Sequence, residues 1–290
     1  MQPHWDDLKT VLELVRSGSL AGAAGRMGLS YTTVARRVTR IEEALGLTLF
    51  ERLADGYRPT DEGRLVADYA AQMQGQEDAL LRQLAGRSTD LSGPLVVTAP
   101  QLLIAHGFAP MLAAFSAAYP QVELQIKATN DLLDLTRREA DLALRVSRSP
   151  GDTLTGLRLS AQDSASFAHR DWAARIADDP NGPIDWILFS GYSAPPKAAA
   201  ERYPNLRTRY RFDDMVAIAG AVQAGLGAAQ MPMFLGRSLP DVVPVPLVPP
   251  QPYADIWLVG HRDVWQGAKP TAFRAVIAQE FKAARALFTA

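Results

Sequence analysis

Cysteine is absent from this 290-residue chain, and histidine occurs only four times. The lack of thiols excludes disulfides, thiolate metal sites and thiol nucleophiles. The histidines lie far apart and have no metal-ligand spacing, so each is expected to be an ordinary surface or core residue: His4, His106, His169 and His261. We therefore expect neither a metal site nor a cofactor.

Long apolar runs are also missing. No such run approaches the roughly 20 residues that would span a bilayer. The first residues are already amphipathic and lack the charged and apolar regions of a secretory signal. The chain is therefore expected to be cytoplasmic, with no membrane partner.

Signatures of catalysis are lacking as well, since the chain contains neither G-x-S-x-G nor a phosphate-binding loop. Residues 225–230 begin like a dinucleotide-binding fingerprint, but they lack its third glycine and precede an apparent strand. A turn between a helix and a strand is the simpler interpretation. We expect a protein that is not an enzyme.

Positive charge is concentrated near the N-terminus, although the net charge is only −1. Residues 14–41 contain no acidic side chain but five arginines: Arg16, Arg26, Arg36, Arg37 and Arg40. A basic stretch on a near-neutral protein suggests a face for phosphates. Charge alone favours the alternative, a solvated helix face.

The first sixty residues predict a helix-turn-helix. Apolar spacing gives an amphipathic helix from Trp5 and a second helix after Ser19. Gly28 supplies a tight turn, and Ser30 caps a third helix. Its buried stripe is expected to be Val34, Val38, Ile41 and Leu45.

That stripe leaves polar residues of the third helix facing outward, where the second helix of the motif enters the major groove. Arginine there can bond guanine or phosphate, and threonine can contact a thymine methyl. The candidate DNA contacts on this helix are Ser30, Tyr31, Thr32, Thr33, Arg36, Arg37 and Arg40.

A hairpin is expected next, because Asp55-Gly56 is a strong two-residue turn signal. It would form the wing of a winged helix-turn-helix and place Arg52 and Arg58 beside the DNA backbone.

The chain resembles the LysR-type transcriptional regulators. The resemblance rests on residues 17–30, 36–46, 49–52 and 60–63 and continues more weakly to the C-terminus. Tyr31 and Thr32 stand where many members have glutamine and proline or serine, and Ala35 stands where serine is common. The family's base preferences are therefore not transferred to this chain.

A long linker helix is predicted from residue 61 to about residue 88, with Thr60 as its cap. It carries an apolar stripe that needs a partner: Leu65, Tyr69, Met73, Leu80 and Leu84. The resemblance implies antiparallel pairing of two linker helices in a homodimer. The alternative is a helix folded back on its own C-terminal domain.

The pattern changes after residue 89, where strands alternate with helices in two successive sets. Such an order predicts a two-lobed α/β domain like a periplasmic binding protein, with lobe I formed by residues 89–161 and 256–290 and lobe II by residues 162–255. The fold is thus expected to be multidomain α+β: residues 1–60 winged helix-turn-helix, 61–88 linker, 89–290 effector domain.

Open α/β sheets bind ligands beyond the carboxyl ends of their strands. Two of the loops after these strand ends, residues 98–101 and 190–193, are expected to lead into helices, whose N-termini would favour an anionic group. Arg145 is either a carboxylate ligand or the ion-pair partner of Asp141 or Asp163. The candidate effector contacts are Thr98, Pro100, Gln101, Thr129, Arg145, Ser147, Ser190 and Gln230.

The resemblance implies a regulator that binds a pseudo-palindromic operator as a homodimer or a dimer of dimers. A small-molecule effector would then modulate transcription, with RNA polymerase as a candidate partner. Two other hypotheses remain at this point. One is a cytoplasmic solute-binding protein with a vestigial DNA module, and the other is an architectural DNA-binding protein without an effector.

Overall fold

A computed structural model of the chain describes residues 2–53, 56–86, 90–129, 140–149 and 154–290. It divides into two compact units, Met1–Arg82 and Gln83–Ala290.

The N-terminal unit begins with three helices packed around one apolar core: α1 (Trp5–Ser17), α2 (Leu20–Met27) and α3 (Tyr31–Leu45). Ser19 and Ser30 cap α2 and α3, since each hydroxyl accepts the backbone N–H three residues ahead. Gly28 ends α2 with φ 64°, a left-handed conformation that suits glycine. The predicted helix-turn-helix is confirmed.

Two short antiparallel strands form the wing, β1 (Phe50–Leu53) and β2 (Gly56–Pro59). Gly56 pairs with Leu53 and is therefore the first residue of β2, so the predicted turn position is one residue too late. Gly56 is needed in the strand, because a Cβ there would lie 2.6 Å from the carbonyl oxygen of Gly18. Residues 54 and 55 lie outside the described part of the chain.

The linker helix α4 spans Asp61–Gly86, close to the predicted bounds. The Thr60 hydroxyl accepts the N–H of Gly63, which confirms the predicted cap. A carboxylate at each of the first two positions suits the positive end of the helix dipole.

The first sheet of the C-terminal unit has the order β4-β3-β5-β13-β6. Strands β4, β3 and β5 are parallel to one another, and β13 runs antiparallel to its neighbours β5 and β6. Its strands are β3 (Gly93–Ala99), β4 (Val122–Ala128), β5 (Leu142–Ser147), β6 (Thr155–Ser160) and β13 (Asp255–Gly260). The return of the chain to this sheet through β13 was expected from the sequence.

The second sheet has the order β11-β7-β10-β8-β9, with β12 paired to β7. Strands β8, β9 and β10 are parallel, and β7 is antiparallel to β10. The strands are β7 (Asp163–His169), β8 (Ile184–Phe189), β9 (Leu206–Phe212), β10 (Ala228–Pro232), β11 (Val242–Pro244) and β12 (Gln251–Pro252). The α/β alternation that the sequence predicted is confirmed.

Helices flank both sheets: α5 (Gln101–Leu103), α6 (Ala109–Ala118), α7 (Arg170–Asp178), α8 (Lys197–Arg202), α9 (Met215–Gln223), α10 (Met233–Ser238), α11 (Arg262–Trp265), α12 (Ala268–Ala283) and α13 (Arg285–Phe288). A π-helical turn, Ile104–Phe108, joins α5 to α6, where the sequence predicted one uninterrupted helix. The last helix, expected over residues 271–288, is divided between α12 and α13.

The run Gln101–Ala118 is long and apolar enough to cross a membrane by length and composition, which the sequence analysis did not anticipate. Four of its large apolar side chains are buried in the domain core, Leu103, Phe108, Met111 and Phe115, and three others pack against that core while partly buried, Leu102, Ile104 and Leu112. It therefore fits the pattern of a core helix.

Several elements were not predicted, namely β6, β11, β12, α8, α10 and α11. Strands β11 and β12 and helix α11 have only two to four residues, too few to show apolar periodicity. In β6, Leu157 and Leu159 alternate with Arg158, a strand signal that the prediction did not use. The helix predicted over residues 131–138 lies outside the described residues.

Candidate functional site

The N-terminal half of α3 forms an exposed polar face. Ser30, Tyr31, Thr32 and Arg36 are exposed, and Thr33 is half-buried beside the Ser30 cap. Arg36 makes no hydrogen bond or ion pair with any described residue, so its guanidinium is available to an external acceptor. These residues hold the positions from which a helix-turn-helix contacts base edges.

Arg37 and Arg40 do not project outward as predicted. The Arg37 guanidinium donates to Asp6 over 2.9 Å, and Arg40 makes two hydrogen bonds to Asp7, which raise the pKa of Arg40. Positions 37 and 40 border the buried stripe of α3, and this register turns them toward α1. Arg36, by contrast, lies on the far side of the helix.

The basic stretch is largely neutralised in three dimensions. Glu13 of α1 forms ion pairs with both Arg16 and Arg26. Together with Asp6 and Asp7, it engages four of the five arginines counted in residues 14–41. These carboxylates reduce the positive charge that the stretch presents to solvent, and the face for phosphates stays a prediction.

The two wing arginines occupy different settings. Arg52 lies opposite Tyr57 in the β1–β2 ladder, with its guanidinium 5.9 Å from the Tyr57 ring. The Arg58 side chain is exposed, and its guanidinium has no hydrogen-bonding partner within the described residues. Both stay predicted DNA contacts.

The apolar stripe of α4 is exposed. Its five side chains, spaced four, four, seven and four residues apart, are 46–60% exposed: Leu65, Tyr69, Met73, Leu80 and Leu84. On the α1 side of α4, Glu77 accepts hydrogen bonds from Trp5 and Lys9. Contacts with Lys9, and more weakly with Trp5, lower the pKa of Glu77. One side of α4 therefore contacts α1, while none of the described residues of this unit packs over the apolar stripe.

The predicted effector residues of the first sheet gather at one edge. Thr98 is nearly buried at the end of β3, and Thr129 donates its N–H to Ala99. Arg145 and Ser147 end β5, which runs parallel to β3. Burial lowers the pKa of Arg145. Pro100 and Gln101 begin α5 at the same edge, which confirms a helix N-terminus there.

Both aspartates suggested as ion-pair partners of Arg145 accept hydrogen bonds from other residues. Asp141 accepts the N–H of Val96, and Asp163 accepts the N–H of Ala290, each over 2.8 Å. The role of Arg145 stays a prediction.

The second sheet presents Ser190 and Gln230 at the corresponding edge. Ser190 directly follows β8, and Gln230 donates to the Ser164 hydroxyl over 3.0 Å. No helix begins beside Ser190, because α8 starts only at Lys197, after two prolines that disfavour helix in the residue before them. The prediction of a helix N-terminus at this loop is therefore wrong.

Two crossovers join the sheets beside these edges, at residues 161–162 and 253–254. Gln162 connects them: its carbonyl accepts the Tyr253 N–H, and its side-chain amide donates to Ala254. The Gln162 side chain is 2% exposed, and its Oε1 has no partner. The structure thus brings the predicted effector residues of both lobes to the two sides of the crossovers.

Two tyrosines near the crossovers were missed by the sequence analysis, Tyr192 and Tyr253. Tyr192 is 61% and Tyr253 45% exposed. Partial removal of the Tyr253 hydroxyl from water, and to a smaller extent the nearby Tyr192, raises the pKa of Tyr253. Loop residues of this kind leave no periodic signal, so only the fold reveals them.

A separate cavity of about 440 Å³ lies in the second lobe. It is lined by Ala165, Arg202, Met233, Pro244, Val245, Pro246, Val248, Pro249 and Pro250. None of the predicted effector residues lines it. No group of three or more potential metal ligands occurs within the part of the chain that the structure describes.

Comparison with known families identifies the architecture. Residues 5–64 match the family "Bacterial regulatory helix-turn-helix protein, lysR family", and residues 88–282 match the family "LysR substrate binding domain". The chain belongs to the LysR family. This LysR-type regulator therefore combines a helix-turn-helix DNA-binding domain with an effector-binding domain, as predicted.

Known relatives agree with this assignment. The regulator is 28% identical over 273 residues to the Mau operon transcriptional activator of Paracoccus denitrificans, covering 92% of this chain and 90% of that protein. It is 31% identical over 236 residues to the uncharacterized HTH-type transcriptional regulator YusT of Bacillus subtilis, covering 78% of each. Its relatives are regulators, which confirms the prediction that it is not an enzyme.

Full-length structures share the fold. The virulence activator AphB of Vibrio cholerae superposes with a TM-score of 0.59 at 20% identity, over 95% of this chain and 99% of that one. A full-length variant of AphB gives 0.65 at 19% identity, over 94% of this chain and 98% of that one. The predicted fold class is confirmed.

Proposed function

We propose that this LysR-type regulator binds a pseudo-palindromic operator as a homodimer and that two such dimers assemble on the DNA. The observation that carries the proposal is the free, exposed Arg36 beside Tyr31 and Thr32 on a capped α3. Ser30, Thr33, Arg52 and Arg58 would add contacts to DNA phosphates and bases. The protein would act in the cytoplasm, with RNA polymerase as a further partner.

Dimerisation is supported by the stripe on α4. Five large apolar side chains along one flank of a 26-residue helix are costly to leave in water. Antiparallel pairing with a second copy would cover them and place two α3 helices on one DNA duplex.

The effector would bind between the two lobes, at the strand ends that flank the crossovers. The start of α5 and the Arg145 guanidinium favour a ligand that carries a carboxylate or another anionic group. Thr98, Pro100, Gln101 and Thr129 would contact it from lobe I, together with Arg145 and Ser147. Ser190 and Gln230 would do so from lobe II. Differential binding to two lobe arrangements would change how the regulator bends or occupies its operator.

The DNA-binding proposal is tested by selecting sheared genomic DNA on the purified full chain at one fixed, physiological salt concentration. We expect a few enriched fragments that share an inverted repeat. Arg36→Ala should weaken binding to such a site by about 1–3 kcal/mol and relax preference at one base pair. Lys282→Ala, which removes an exposed charge on α12, is the matched control and should bind as the wild type does.

Even coverage of the genome would contradict operator recognition. Together with tight binding of a small molecule, it would favour a solute-binding protein. Bent DNA without any ligand response would favour an architectural role.

The effector site is tested by the thermal unfolding temperature of the full chain with individual carboxylic acid metabolites. An acid that stabilises the wild type should no longer stabilise Gln101→Trp, which fills the proposed edge of lobe I. Gln125→Trp alters an exposed glutamine in the middle of β4 and should keep the response. If the acid stabilises both variants equally, the effector does not bind at the proposed edge of lobe I.

A further inference from the structure

Helix α1 carries three carboxylates that face the arginines of the DNA-binding unit. Asp6 pairs with Arg37, Asp7 with Arg40, and Glu13 with Arg16 and Arg26. These contacts link residues up to 33 positions apart, so they belong to the tertiary structure. The pairs differ in how readily DNA could displace them.

DNA is not expected to displace Asp7 from Arg40. The Asp7 side chain is 1% exposed and accepts two hydrogen bonds from the one guanidinium. Transferring Arg40 to DNA would leave a buried carboxylate without its partner, which is strongly unfavourable. Arg40 therefore positions α3 against α1 and is not a free DNA ligand.

The Asp6–Arg37 pair has the opposite character. It consists of one hydrogen bond of 2.9 Å, and the Asp6 side chain is 62% exposed. Once Arg37 departs, water can solvate this carboxylate. The Arg37 side chain is 19% exposed and follows Arg36 directly, next to the proposed DNA face.

The relative strengths of the ion pair with Asp6 and of a contact with DNA decide which acceptor Arg37 binds. An exposed ion pair changes an equilibrium constant by a factor of about 1.5 to 5. A bidentate contact between arginine and a matching base is worth roughly 5- to 150-fold. A correctly placed guanine therefore outcompetes Asp6, whereas a single solvated phosphate gives little or no net gain.

We infer that Asp6 limits the affinity of this regulator for DNA: it holds Arg37 against α1, and this ion pair must be broken before Arg37 can contact an operator base. The inference rests on the proposed binding of α3 to DNA. Asp6 itself acts through Arg37 and touches no base.

Asp6→Asn in the full chain tests this inference. Affinity is measured for an operator duplex and for a random duplex of equal length, over a series of salt concentrations. We expect operator binding to tighten by about 1.5- to fivefold, because Arg37 no longer has to leave Asp6. Binding to the random duplex should also tighten, by no more than this factor, and the slope of log K against log salt on that duplex should steepen by up to about 0.9, the value for one added phosphate contact. The specificity ratio should therefore stay the same or rise.

Direct repulsion between Asp6 and phosphate is separated by repeating the comparison in an Arg37→Ala background. If Asp6 acts through Arg37, Asp6→Asn has little effect there, and the double-mutant cycle shows coupling. An equal gain with and without Arg37 would overturn the inference, as would unchanged binding of the operator by Asp6→Asn.

The same data judge the proposed function separately. A wild type that does not distinguish operator from random duplex contradicts operator recognition. The coupling between Asp6 and Arg37 on the random duplex is still measured in that case, and its absence would overturn the inference independently. Thermal unfolding of each variant shows whether the fold is retained, which we expect because Asp6 is exposed.

Discussion

Asp7 and Arg40 fasten the recognition helix α3 to α1: Nε of Arg40 donates to one carboxylate oxygen over 2.8 Å, and Nη2 donates to the other. The carboxylate is buried, so its hydrogen bonds are made within the protein and not to water. The orientation of α3 therefore depends on an arginine that the sequence predicts to contact DNA.

Loss of this pair should destabilise the N-terminal unit. We expect Asp7→Ala to lower the free energy of unfolding by about 2 kcal/mol, because buried charge-assisted hydrogen bonds are lost. Arg40→Ala should be destabilising in the same direction. Urea unfolding followed by the helical circular dichroism signal measures both. Arg36→Ala is the matched control, and a loss of stability as large as that of Arg40→Ala would contradict this assignment.

Dimerisation should depend on the α4 stripe. Leu80→Glu places a charge in the middle of the exposed apolar flank, so sedimentation should show a shift toward monomer at micromolar concentration. Asp68→Ala changes an exposed residue of α4 away from the stripe and should leave the sedimentation coefficient unaltered. A Leu80→Glu protein that sediments as the wild type would place the dimer contact on another surface.

Two glycines of α4 should respond oppositely to alanine. A Cβ at Gly63 would collide with the carbonyl oxygen of Leu49, so Gly63→Ala should lower the unfolding temperature. Gly75 has open space around it and lies inside the helix. Gly75→Ala should therefore stabilise the unit by up to about 1 kcal/mol through helix propensity. Calorimetry of both variants provides the measurement, and destabilisation of equal size by both would show that crowding at Leu49 is not the cause.

Acid should weaken the contact between α1 and α4 through Glu77. Contacts with Lys9 and Trp5 lower the folded-state pKa of Glu77 below its ordinary value of 4.5. A group whose pKa is lowered on folding stabilises the fold above its unfolded pKa, and that contribution disappears as pH falls through the folded pKa.

We therefore expect Glu77→Gln to unfold at a lower temperature than the wild type near neutral pH, with the difference vanishing in acid. Added salt should reduce the difference, since the Glu77 side chain is 38% exposed. Glu43→Gln alters an exposed glutamate that has no ion pair with described residues and is the control. A wild-type advantage over Glu77→Gln that persists below about pH 3 would contradict the assignment.

Much of the N-terminal unit was predictable because its signals are local. Ser19 and Ser30 cap helices within three residues of themselves, and Gly28 ends α2 through its own backbone conformation. The exposed stripe from Leu65 to Leu84 follows directly from helical spacing. In the C-terminal unit, short elements such as β12 and α11 were missed because two to four residues carry no periodicity.

The sequence by itself determined the order of most of the longer helices and strands, the helix-turn-helix and the resemblance to LysR-type regulators, since caps, turns and apolar spacing act over a few residues. Only the tertiary structure decided which arginines stay free. Asp6 and Asp7 lie 31 and 33 residues before the arginines they bind, and their meeting depends on how α1 packs across α3. The same holds for the crossovers at Gln162 and Tyr253, because hydrogen bonds between segments about 90 residues apart form only after both sheets are assembled.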